Sequence, residues 1–197
     1  MYLKKLELSI LIALILTIAL SCFDFSYNCS SIREKVFRLH ILANSDSERD
    51  QNLKIKVRDR LLKEGLDLFC ESENLEETVV IANENIDYFC AVATDELRKN
   101  SCNYSVRADV VPCYFDTRTY FDTTLPAGNY TALQIKIGKA KGQNWWCVMY
   151  PSLCVPSSSQ KIDDVLDENE TKIVENKDKY IAKFKVVEWF QKIKSWF

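Results

Sequence analysis

Glycine is scarce, with only four residues in 197, at positions 65, 128, 138 and 142, and there is a single histidine, His40. So few glycines leave no phosphate-cradling loop and no dinucleotide-binding turn, and neither a GxSxG elbow nor an HExxH helix is present. One histidine narrows acid-base chemistry, and with no CxxC pair the ligand set of a structural zinc is missing. An excess of charge of one sign is also lacking. The formal net charge is -2, which is not the basic footprint that tracks nucleic-acid phosphates. No repeat or heptad array appears, and the length suits one domain with a real core rather than two.

What is present begins at the N-terminus. Lys4 and Lys5 precede an apolar run from Leu8 to Leu20 broken only by Ser9 and Thr17. That run is shorter than the roughly 20 residues of a membrane span, so a cleaved export signal over residues 1–21 is favoured over a permanent anchor. Ala19-Leu20-Ser21 supplies a small-x-small cleavage site, and the rival reading makes Cys22 a lipidated first residue. Before cleavage, residues 8–20 meet the membrane. Export lets the eight cysteines form disulfides. Cys147 and Cys154 flank a short segment containing Pro151 and are the pair best placed to bridge, with two buried thiols as the alternative.

Phe37, Leu39 and Ile41 alternate with Arg38 and His40, which predicts a strand. Asn44-Ser45-Asp46-Ser47 then offers side-chain oxygens to the free amides of a new helix, whose stripe is Leu53, Val57 and Leu61 and whose end is Gly65. Leu75, Val79, Ala82, Ile86, Phe89, Ala93 and Leu97 recur at three and four residues, predicting one longer helix opened by an Asn74/Glu77 capping box. From Tyr104 the period becomes two, and further strands are expected around 104–110, 118–122 and 133–137, joined as a meander, while 145–150, apolar on both faces, suits a strand covered on both sides or a tight loop packed on the core. The fold class is α+β, a single domain of residues 30–156 with two helices packed on one face of a mostly antiparallel sheet. Residues 157–178 read as a polar linker that has room for a polar helix, and residues 179–197 as a basic amphipathic tail, Trp189 and Trp196 included.

Candidate chemistry is thin. Cys147 or Cys154 as nucleophile with His40 as base would make an exported hydrolase; the plainer role for His40 is a hydrogen-bonding residue at the surface or on the strand's second face. Asp46 and Asp50 suit a cation or, more simply, a helix cap. Nothing in the spacing of the acidic residues selects a glycosidase pair. Trp145 and Trp146 are adjacent, so on a strand they point to opposite faces, either packing both sides of a sheet or presenting one ring to a partner. The tail fits a membrane surface, a groove on a partner, or its own domain. No cofactor or metal is implied.

Three segments together resemble one family. They are Arg38-Leu-His-Ile-Leu-Ala-Asn-Ser-Asp46, continuing through Asp50-Gln51 to Lys56-Val57-Arg58-Asp59; Leu125-Pro-Ala-Gly-Asn-Tyr130; and Gly142-Gln-Asn-Trp-Trp-Cys147 with Pro151 and Cys154. In order and spacing these resemble the stage II sporulation protein R family of endospore-forming bacteria. The resemblance implies a non-enzymatic signalling protein exported from the forespore into the space between its membrane and that of the mother cell. It implies as partner the mother cell's membrane-embedded aspartic protease, which processes the precursor of sporulation sigma factor E. Asn129 and Ser152 depart from the family pattern. His40, Asn44, Asp46, Gln51, Trp145 and Trp146 are candidates for fold-keeping or partner binding. An exported hydrolase and a structural envelope protein are the competing readings.

Overall fold

Phe37–Leu42 forms the strand around which everything else is arranged, because both of its faces are buried. In the computed structural model, which describes residues 2–69, 72–151, 153 and 162–194, the order is α1 (Tyr2–Arg33), β1 (Phe37–Leu42), α2 (Glu48–Phe69), α3 (Leu75–Glu84), α4 (Ile86–Lys99), β2 (Val106–Phe115), β3 (Arg118–Tyr120), β4 (Thr123–Leu125), β5 (Gly128–Ile137), β6 (Asn144–Tyr150), a short 3-10 turn (Ile162–Asp164), α5 (Glu168–Glu175) and α6 (Lys177–Lys194).

The main sheet has strand order β2-β5-β1-β6 and is mixed. β5 pairs antiparallel with β2 and β6 antiparallel with β1, but β1 and β5 run parallel, with Arg38 opposite Ala132 and Leu42 opposite Lys136. The expected meander is therefore corrected. β3 and β4 form a separate two-stranded hairpin, and β5, instead of ending a meander, lies between β2 and β1.

One face of the sheet carries Phe37, Leu39, Ile41, Leu133 and Ile135, packed on Leu53, Val57 and Leu61 of α2 and on Phe89, Ala93 and Leu97 of α4. Three helices cover this face rather than two, since the predicted long helix breaks at Asn85, whose Nδ2 donates to Ile81 O at 2.8 Å. Asn74 caps α3 by accepting from Glu77 N at 3.0 Å, while the Glu77 carboxylate takes the amide of Glu73 rather than that of Asn74. α2 does not stop at Gly65; it runs on to Phe69, which is fully buried.

The opposite face holds a second core that the sequence reading lacked. Phe25, Cys29 and Ile32 at the end of α1 meet Phe115, Tyr130, Val148, Ile173, Val174, Phe184 and Val187. The stretch read from composition as linker thus contributes buried residues and α5, whose N-terminus is closed by a capping box between Asp167 and Glu170. Buried Glu170 also accepts from Lys35 Nζ at 2.6 Å, which ties α5 to the chain just before β1. Arg38 and His40, the apparent polar face of β1, point into this second core. Arg38 is fully buried, and among the described residues no carboxylate pairs with it; its guanidinium lies 3.8 Å from the Phe115 ring centre and 4.7 Å from that of Tyr130, and donates to Tyr120 Oη and, at 3.4 Å, to Cys147 O.

From Leu6 to Leu20 the large apolar side chains of α1 are exposed. The helix is long and apolar enough to cross a membrane, a property shared by signal peptides and anchors.

Candidate functional site

The Asn44–Ser47 turn and the loop before β6 are laced together by side chains of the sequence motifs. Asn44 Oδ1 accepts from Lys139 N at 3.0 Å and its Nδ2 donates to Asp50 Oδ2 at 2.7 Å. Asp46 Oδ1 accepts from Gln143 N at 2.6 Å. Gln51 Nε2 donates to Ser45 O at 2.9 Å, and Lys54 Nζ donates to Gln143 O at 2.9 Å and to Gln51 Oε1. Ser47 caps α2 by accepting from Asp50 N. Burial raises the Asp50 carboxyl, but hydrogen bonds from Ser45, Asn44, Tyr104 and Ser47 together outweigh it and hold the pKa below its ordinary value. Asn44, Asp46 and Gln51 therefore position the loop that delivers Trp145 and Trp146.

Beside this lacing lies a cleft of about 310 Å³ lined by Gln51, Lys54, Ile55, Arg118, Trp145 and Trp146, among others. A second hollow of about 240 Å³, walled by Arg58, Leu62, Tyr120 and Phe121, shares Trp145 with it. The two hollows adjoin at Trp145 and together line the space between α2 and the β3–β4 hairpin, called the groove below, with residues at the start of β6 in the lining of both. Arg58 is stacked over Trp145, its guanidinium carbon 4.4 Å from the ring centre. At the hairpin tip Phe121 is 76% exposed and holds a left-handed φ of 49°. Lys54, Arg118 and Phe121 were not among the candidate residues, and Arg58 entered only as part of the segment Lys56-Val57-Arg58-Asp59 that carries the family resemblance. Residues 51, 54, 55, 58 and 62 recur at three and four along one helix face, a signal that would have found the α2 wall.

Trp145 and Trp146 do point to opposite faces. Trp145 packs on the α2 side, whereas Trp146 stacks on His40, centroids 3.8 Å apart and planes 13° apart, and meets Phe115 edge-on at 4.6 Å. His40 is thus set apart from the groove. Its Nδ1 lies 3.0 Å from Gln134 Nε2, which also donates to the Cys113 thiol at 3.4 Å. Burial holds the His40 pKa below its ordinary value, opposed by the Asn144 side chain and reinforced by the charge on Lys136. Burial likewise pushes the Cys113 thiol up. Both shifts favour the neutral forms, the reverse of a thiolate-imidazolium pair. Cys147 is disulfide-bonded and so is no thiolate nucleophile; Cys154, its expected partner, lies outside the described residues. Among the described residues no three His, Cys, Asp or Glu side chains gather as metal ligands.

Comparison with known proteins gives the chain a family. The family model for stage II sporulation protein R matches residues 33–161. A curated relative, stage II sporulation protein R of Bacillus subtilis (strain 168), is 37% identical over 123 residues, 62% of this chain. The match spans 55% of that relative's length, so the chain covers about half of it. No solved structure matches. The matched region contains the laced turn, the groove and the main sheet, while most of α1 and all of α5 and α6 lie outside it. The chain belongs to the stage II sporulation protein R family.

Proposed function

We propose that this chain is an exported sporulation signal that acts by binding rather than by catalysis. Its target is the extracytoplasmic face of the membrane-embedded aspartic protease that processes the sigma-E precursor. The observation that carries the binding reading is Phe121. A bulky aromatic residue at positive φ is unfavourable for the backbone, and its exposed ring is unfavourable in water. Asn or Gly would suit the turn better on both counts. A ring kept there, beside a groove lined by Trp145 and Arg58, fits an anchor that a partner covers, since aromatic and arginine residues dominate binding energy at protein interfaces.

Activation follows if the protease offers the groove a better fit in its active than in its inactive state, because a ligand shifts an equilibrium only through differential affinity. Family membership supports the sporulation setting, and the apolar α1 supports an encounter at a membrane. The test is reconstitution in a non-sporulating bacterium that expresses this chain, the protease and the sigma precursor. Precursor cleavage on an immunoblot should require this chain together with its export segment, and Phe121→Ser should lower it. Absence of cleavage with all three proteins present and this chain exported would sink the proposal.

A further inference from the structure

α6 has two apolar faces, and the domain uses only one. Tyr180, Phe184 and Val187 turn inward, with Phe184 and Val187 buried in the second core and Tyr180 packed against it. At 100° per residue, Ala182, Val186, Trp189, Phe190 and Ile193 fall on the opposite side of the helix. Val186 is 51%, Trp189 66% and Phe190 56% exposed. A soluble surface helix carries charged or polar residues there.

The position of this outer face identifies what it meets. Ala182 and Val186 share a shallow apolar hollow with Thr17 and Ile18, the end of the exposed run of α1, and Lys183 Nζ donates to Ser21 Oγ at 2.8 Å. The second and third turns of α6 therefore lie level with Thr17–Ser21, where the exposed run of α1 ends. Further along, the helix stays on the body, with Lys192 Nζ 3.8 Å from Asp116 on the β2–β3 connection. Lys185 is 75% and Lys192 54% exposed beside the aromatic residues; both pair with Glu188, at 3.3 and 3.0 Å, which leaves one positive charge in excess among these three groups of the helix.

We infer that the outer face of α6 seats in the interface of an anionic bilayer, alongside the point where α1 enters it. A helix with tryptophan and phenylalanine toward the acyl boundary and lysines toward phosphate headgroups binds through buried apolar area plus charge attraction. The consequence is a second membrane contact that does not depend on residues 1–21, so removal of the export segment would not release the body from the membrane. The inference rests on the reading that residues 8–20 meet a bilayer, which part of the test examines separately.

The full chain is placed in phosphatidylcholine vesicles containing phosphatidylglycerol, with the photo-crosslinking residue p-benzoylphenylalanine at Phe190, at Leu14 within α1, or at Tyr88, an exposed residue of α4. Lipid adducts at Phe190 should exceed those at Tyr88 several-fold and fall when phosphatidylglycerol is omitted. Adducts at Leu14 with none at Phe190 would overturn the inference and leave the membrane reading of α1 standing. No adducts at either would overturn both. An adduct between two protein copies through Phe190, in place of lipid, would make this face a self-association surface and also overturn it.

Discussion

Gly142→Ala should damage the laced turn far more than Gly65→Ala damages α2, although both add one methyl group. An alanine Cβ at position 142 would sit 2.5 Å from the Ser45 carbonyl carbon, closer still to its oxygen, and 3.0 Å from Ala43 Cβ. Carbon atoms rest at roughly 3.5–4.0 Å, so backbone must move by about 1 Å, and overpacking of that kind costs about 1–3 kcal/mol. The movement also pulls on Gly142 N→Ala43 O at 2.9 Å and Gln143 N→Asp46 Oδ1 at 2.6 Å, each worth about 1 kcal/mol net. A loss of about 2–4 kcal/mol follows. At Gly65 the nearest atom is the mobile Met149 Cε, also at 2.5 Å, which can rotate away, and alanine in a helix interior gains up to about 1 kcal/mol over glycine. Gly65→Ala should therefore come out neutral or stabilising. Urea unfolding of the full chain in mild detergent, followed by tryptophan fluorescence, measures both. If Gly142→Ala stayed within about 0.5 kcal/mol of the parent, an ordinary surface-level effect, the account of the laced turn would be wrong.

Other expectations follow from the same contacts. Arg38→Met keeps most of the volume and removes a buried charge that no carboxylate among the described residues pairs with, so it should be neutral or stabilising by about 1–4 kcal/mol; Arg38→Ala, which leaves a void under Phe115 and Tyr130, should be clearly destabilising, and equal losses in the two would show that the charge itself holds the core. Because the folded pKa of Asp50 lies below its ordinary 3.8, its stabilising contribution is present above that value and lost as pH falls through the folded pKa. Urea midpoints from pH 6 to pH 3 should thus fall more steeply for the parent than for Asp50→Asn, and parallel acid limbs would refute the assignment. Phe121→Ser and Arg58→Ala should lower precursor cleavage in the reconstituted system with Phe121→Ser leaving the unfolding midpoint unchanged; an unaltered cleavage yield in both would remove the groove from consideration.

β1, α2 and the strand character of residues 106–110, 133–137 and 145–150 were legible because their apolar periods are local. Sheet order was not, since β1 lies between strands about a hundred residues downstream and nothing in its own six residues names them. The second core was hidden for a related reason. Three of its buried residues, Phe25, Cys29 and Ile32, come directly after an export-like run, and six more are dispersed among acids and lysines between Ile162 and Val187. With that core unseen, Arg38 and His40 read only as the polar face of β1. At the site, resemblance found Asn44, Asp46, Gln51 and Trp145, which the fold brings together, whereas His40 belongs with Trp146 on the other face. Phe121 left no trace in the sequence because its meaning lies in a backbone angle.

The uninterrupted course of α1 from the apolar run into the second core makes it a rigid strut. No flexible joint separates Ser21 from Arg33, a distance of roughly 18 Å along the helix. Such a strut transmits rotation as well as attachment. One residue inserted ahead of Phe25 would raise the body by only about 1.5 Å yet turn it by about 100°, while seven residues, close to two full turns, would nearly restore its heading at a greater height. For as long as residues 8–20 remain attached, whatever grips them therefore sets the compass bearing of the groove as well as its height.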